Sequence, residues 1–194
     1  MYLLIDNYDS FTYNVFHLLA SHCSDEVKVI RNDAISIEEI AQMSPKGIII
    51  SPGPCTPKDA GICVPLIKEL KASIPILGIC LGMQAIGEAF GASIIRSPLP
   101  MHGKVDKITH HDNKILKDIP SPLYVTRYHS LCIDANTLPK DIIPSAHSDD
   151  DVIQAVYHQE LPLYGLQFHP ESVRTQYGDR MIQNYLNLVK DFHS

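Results

Sequence analysis

Pro75-Ile76-Leu77-Gly78-Ile79-Cys80-Leu81-Gly82-Met83-Gln84 is the stretch on which the fold and the chemistry both turn. A short apolar run of strand length passes directly into a helical pattern over residues 81–89, and the junction reads Gly-x-Cys-x-Gly. A nucleophile between two glycines at a strand-to-helix turn forms an elbow. The glycines let the backbone turn sharply and keep bulk away, so the sulfur stands clear of the sheet edge. The helix that follows points its free N–H groups and the positive end of its dipole at that sulfur. An isolated cysteine is more often a small buried hydrophobe. The flanking glycines make Cys80 the candidate nucleophile, and Cys23, Cys55, Cys63 and Cys132 have no such setting.

Outward from this junction, short apolar runs alternate with amphipathic ones. Strands are expected over residues 2–5, 27–30, 47–51 and 74–79. Helices are expected over 11–21 with Ser10 as N-cap, over 35–42 started by Ser36, and over 60–71. Strands alternating with helices at this pitch build βαβ units, hence an α/β fold with an open, mostly parallel sheet covered by helices on both faces. The second half is strand-rich, with runs at 94–96, 105–109, 123–126, 151–157 and 163–168 that read as an antiparallel extension, and a last helix over 179–189. No repeat, linker or low-complexity tract divides the chain, and 194 residues suit a single domain over 1–194.

Composition narrows the function. Sixteen basic residues stand against 22 acidic ones, a net charge of −6, which is not the footprint of a nucleic-acid binder. The apolar runs are far short of the ~20 residues that span a membrane. Residues Met1 to Asp6 lack the basic start of a secretory signal. Five cysteines with no C-x-x-C pair fit a reducing cytoplasm. His110-His111-Asp112 has no metal-ligand spacing and reads as a solvated turn, so no metal is expected.

A thiol nucleophile needs a base, and the base an orienting acid. Gln167-Phe168-His169-Pro170-Glu171-Ser172 follows an expected strand and places His169 two residues from Glu171, with a stiffening proline between. Alone this would be a polar turn; with the elbow it completes Cys80, His169 and Glu171 as nucleophile, base and orienter. An oxyanion needs donors. The Leu81 N–H is one by the geometry of the elbow. Gly53 in Ser51-Pro52-Gly53-Pro54-Cys55 is a candidate for the second, and reads equally well as a plain tight turn.

Six segments in order carry a resemblance: Asp6-Asn7-Tyr8-Asp9-Ser10-Phe11-Thr12, the Ser51 to Pro57 turn, Gly78 to Gln84, Met101-His102-Gly103-Lys104, Tyr128-His129-Ser130-Leu131 and Gln167 to Ser172. Over essentially its whole length the chain resembles the class I (triad) glutamine amidotransferases, nearest to the glutaminase subunits of anthranilate synthase and aminodeoxychorismate (para-aminobenzoate) synthase. The resemblance implies a flavodoxin-like fold and no cofactor. It implies that Cys80 attacks the side-chain amide of L-glutamine to form a γ-glutamyl thioester. It further implies that Gly53, Pro54, Cys55, Leu81, Gln84, Ser130 and Leu131 hold the glutamine. Asp9, Ser10, Met101, His102, Gly103 and Lys104 are implied to face a chorismate-using synthase subunit. Cys55 stands where anthranilate-type subunits often have Gly, and Met83 where His is common.

The reading that follows is a glutaminase that passes ammonia to a separate synthase chain making 4-amino-4-deoxychorismate, for folate. The alternatives are the anthranilate (tryptophan) subunit or one shared by both. A free-standing γ-glutamyl thiol hydrolase would use the same triad without a partner. A binding module with a degenerate site would not keep Cys80, His169 and Glu171 together.

Overall fold

A computed structural model describes residues 1–111 and 114–194. The first half runs β1 (Tyr2–Asp6), α1 (Thr12–Ala20), β2 (Val27–Arg31), α2 (Ile37–Met43), β3 (Gly47–Ile50), α3 (Cys63–Leu70), β4 (Ile76–Ile79) and α4 (Leu81–Ala89). The second half adds β5 (Ile94–Arg96), β6 (Lys104–His110), β7 (Leu123–Arg127), β8 (Leu131–Ile133), β9 (Ile142–Ser148), β10 (Ile153–His158), β11 (Leu163–Leu166) and α5 (Gly178–Phe192). Among the described residues nine strands form one sheet in the order β2-β1-β3-β4-β11-β10-β9-β6-β7, and β5 pairs with β8 apart from it.

The inner parallel strands β1, β3 and β4 are buried on both faces because alternate residues enter different layers. Tyr2 and Leu4 of β1 join Val15 and Leu19 of α1 and Met181 and Tyr185 of α5. Leu3 and Ile5 join Ile40 of α2, Leu66 and Ile67 of α3 and Ile86 of α4. Local chemistry caps α2 directly. Ser36 and Glu39 exchange hydrogen bonds with each other's backbone at 3.2 and 2.8 Å, a capping box that opens α2.

Four expectations need correction. Ser10 is not the N-cap of α1, which starts from Phe11 without a side-chain cap; Asp9 instead accepts the Phe11 N–H at 2.7 Å. Residues 163–166 are not part of the antiparallel extension. β11 is parallel to β4 and antiparallel to β10, so it joins the two halves, and all four of its residues are buried as a central strand requires. β9 lies outside the expected strands, because Pro144 interrupts its pattern. The structure tolerates the proline where the β9–β10 register shifts. His110 does not sit in a solvated turn: it ends β6, with its ring Nε2 3.1 Å from the Ile119 carbonyl, while Asp112 lies outside the described residues.

In open α/β sheets ligands bind beyond the carboxyl ends of the strands. Here β1, β3, β4 and β11 all run parallel, so Asn7, Ser51, Cys80 and Gln167 leave the sheet at the same end.

Candidate active site

The turn after β4 is held by backbone contact. A Cβ on Gly78 would lie 2.3 Å from the Gly82 carbonyl carbon, and one on Gly82 would lie 2.5 Å from the Ile50 oxygen. Only glycine lets α4 start this close to β3 and β4. Cys80 takes up the turn with φ 53° and ψ −104°, a conformation that L-residues avoid. Its N–H is fixed on the Leu166 carbonyl at 2.7 Å. Leu81, the first residue of α4, has an N–H that no helical turn can use.

The loop after β11 brings up His169, the candidate base. The His169 N–H donates to Thr126 at 3.0 Å, and the His169 carbonyl accepts from the Thr175 hydroxyl at 2.6 Å. Its Nδ1 lies 2.6 Å from Glu171 Oε1, with both side chains buried. Burial opposes charge on this ring. The Cys80 sulfur and the Glu171 carboxylate outweigh it, and together they lift the His169 pKa to about 10. His169 Nε2 makes no hydrogen bond within ordinary geometry, although the Cys80 sulfur is close enough to raise the pKa of the ring. Phe11 and Tyr128 stand edge-on to the imidazole at 6.1 and 5.1 Å. Beneath the loop, Gly178 approaches so closely that its Cβ would sit 2.1 Å from the Pro170 oxygen. The sequence carries no sign of that glycine's role, because the contact joins a loop to the start of α5.

The Gly53 turn is fixed by Asn7. Asn7 donates its N–H to the Ser51 hydroxyl and its amide to the Ser51 carbonyl, both at 2.9 Å. The Asn7 Oδ1 accepts from Asn32 at 2.9 Å and from the Cys63 thiol at 3.1 Å. A Cβ on Gly53 would be 2.6 Å from both Asn7 Cβ and Leu81 Cδ2. Cys55 has φ 65°, which explains why glycine suits this position whatever the partner.

Gly53, Pro54, Cys55, Leu81, Gln84, Ser130 and Leu131, the residues expected to hold glutamine, line one cavity of about 170 Å³ with Cys80, Tyr128 and His129. Tyr128 also lines a neighbouring hollow of about 390 Å³, onto which His169 and Glu171 open. Met83 is excluded from the cavity. It is fully buried against Gly165 in the apolar layer, where no hydrogen-bonding role exists.

The far wall is not legible in the sequence. Arg127, at the end of β7, is wholly buried; it bonds Asp106 and grips both oxygens of Asp150 at 3.0 and 3.2 Å. Its Nε donates to His129 Nε2 at 3.1 Å, so the His129 proton sits on Nδ1, which meets the Leu131 carbonyl at 3.0 Å. Burial, and then Arg127, push the His129 pKa down to about 4. Of the residues expected to face a partner, Ser10, His102 and Lys104 are exposed and Asp9 and Gly103 half-buried. Met101 is buried and donates its N–H to the His129 carbonyl, so it braces the cavity wall instead of facing outward.

A family model, glutamine amidotransferase class-I, matches residues 3–188. The chain belongs to this family. This glutamine amidotransferase is 49% identical over 191 residues to anthranilate synthase component 2 of Azospirillum brasilense, covering 98% of this chain and 97% of the relative. It is 45% identical to aminodeoxychorismate/anthranilate synthase component 2 of Bacillus subtilis, covering 98% and 97%. It is 46% identical to aminodeoxychorismate synthase component 2 of Serratia marcescens, covering 96% and 100%. Among solved structures, a putative GMP synthase protein from Thermoplasma acidophilum superposes with a TM-score of 0.88 at 28% identity, covering 99% of this chain and 94% of that one. Among the described residues no helix is long and apolar enough to cross a membrane.

Proposed function

We propose that the chain is the glutaminase subunit of a chorismate-using synthase and hands ammonia to a synthase subunit on another chain. The observation that carries the reading is the buried His169–Glu171 contact at 2.6 Å beside the Cys80 sulfur. The Cys80 thiolate adds to the glutamine side-chain carbonyl, and the N–H groups of Leu81 and Gly53 take the oxyanion. Protonated His169 gives its proton to the departing nitrogen, ammonia leaves, and a γ-glutamyl thioester remains. His169, now neutral, removes a proton from water, which adds to the thioester; glutamate departs and the thiolate returns. Glu171 holds the ring in the correct tautomer throughout. The reaction needs no cofactor, and five free cysteines suit a reducing cytoplasm.

Replacing Cys80 by Ser should abolish glutamine-dependent amination of chorismate by the reconstituted complex while added ammonia still supports it. Loss of both activities would make Cys80 structural. A glutaminase running without its acceptor would waste glutamine, so a site completed by docking is the expected arrangement and the isolated chain should be the weaker glutaminase. Equal rates alone and in complex would remove that idea.

The product we assign is 4-amino-4-deoxychorismate, with anthranilate also formed through a shared subunit, as the double name of the B. subtilis relative suggests. Reconstitution with each synthase subunit tests this. Activity with the anthranilate partner alone would overturn the assignment.

A further inference from the structure

We propose that Gln167 is a further catalytic residue of this site: it donates a hydrogen bond to the reacting sulfur and fixes which end of Gln84 meets the substrate. The inference rests on the glutaminase reading and deepens it. Gln167 is wholly buried, with its backbone N–H held by the Gln154 carbonyl at 2.9 Å.

A side-chain amide can be turned end for end, so its donor must be deduced from partners that cannot turn. Two such partners anchor this network. Arg127 only donates, which makes His129 Nε2 an acceptor and leaves the proton on Nδ1, facing the Leu131 carbonyl. That carbonyl only accepts, so the Gln84 atom 3.0 Å from it is the amide nitrogen. The same nitrogen reaches Gln167 at 3.1 Å, and with both its hydrogens committed it requires the Gln167 oxygen there. The Gln167 nitrogen is therefore the end that lies 3.6 Å from Cys80 Sγ.

Two consequences follow. The sulfur receives an N–H, which stabilises negative charge on it both before attack and when the thioester is cleaved. Gln84 has committed its donors inside the wall, so its oxygen is the end left for the cavity that it lines, an acceptor for an N–H of the substrate. Gln167 thus ties the nucleophile and the substrate contact into one hydrogen-bonded unit.

Two replacements of similar size separate these roles. Gln167→Glu keeps an oxygen for Gln84 but sets a carboxylate against the sulfur. It should lower kcat about ten- to a hundredfold, the effect of a hydrogen bond to a charged group, with KM for glutamine little changed. Gln167→Met removes both contacts, so kcat should fall and KM should rise together. Iodoacetamide labelling of the Cys80 peptide in the full chain at neutral pH, followed by mass spectrometry, should slow in both variants. Wild-type kcat and labelling rate in folded Gln167→Glu or Gln167→Met would overturn the proposal, and either variant alone suffices if the other does not fold. If the wild-type chain with its synthase partner used no glutamine, the glutaminase reading would fail, whereas the labelling would still report whether Gln167 acts on Cys80.

Discussion

The turn after β4 and the turn after β7 meet across one small cavity, and they are held in place by opposite means. Around Cys80 the position is set by contact between backbones. Gly78 and Gly82 leave no room for a Cβ, and the strain at Cys80 is confined to one residue. Around His129 the position is set by charge. A buried guanidinium is balanced by Asp106 and Asp150, and a neutral imidazole passes its orientation on to Leu131 and Gln84. The first kind of support is indifferent to pH and intolerant of any added atom. The second tolerates small changes of shape and fails when a charge loses its partner.

The sharpest way to break this contrast is to add one methyl group. Gly82→Ala, which forces a Cβ onto the Ile50 oxygen, should destabilise the chain by more than about 3 kcal/mol in urea denaturation. A wild-type midpoint would show that the elbow is not clamped by sterics. Next comes Arg127→Met, which strands two carboxylates and His129 Nε2. We expect a loss of about 3 kcal/mol together with a raised KM for glutamine, because Leu131 and Gln84 lose their anchor. An unchanged KM would detach the network from the cavity.

Titration should distinguish the two histidines by sign. His129, with its pKa pushed down to about 4, is neutral in the folded chain. Its contribution is complete above the ordinary histidine value near 6.5 and is lost as pH falls from there toward 4. His169, raised to about 10, contributes fully below about 6.5 and loses that contribution as pH rises through 10. His129→Gln should flatten only the acid limb and His169→Gln only the alkaline one. Crossed behaviour would reverse the charge states assigned to the two rings. The smallest effect is expected at Cys55. Cys55→Gly relieves a positive φ and should add about 1 kcal/mol of stability, and a loss instead would mean that the thiol makes a contact worth more than the strain.

Features that depend on neighbours along the chain are legible without any coordinates. The elbow is legible because a strand, two glycines, a cysteine and a helix adjoin. His169 and Glu171 are legible because they stand two positions apart, and the parallel half is legible because each apolar run is followed by its own covering helix. Tertiary structure alone decided the rest. It placed Arg127 under the cavity between Asp106 and Asp150, turned Met101 inward, admitted Pro144 to a strand and set β11 beside β4. It also joined Gln167 to Cys80 and Gln84, partners 87 and 83 residues away. Local periodicity records which face a residue turns to the core. It holds no record of which distant donor will be waiting there, because that is fixed only when the strands pair and water is excluded from between them.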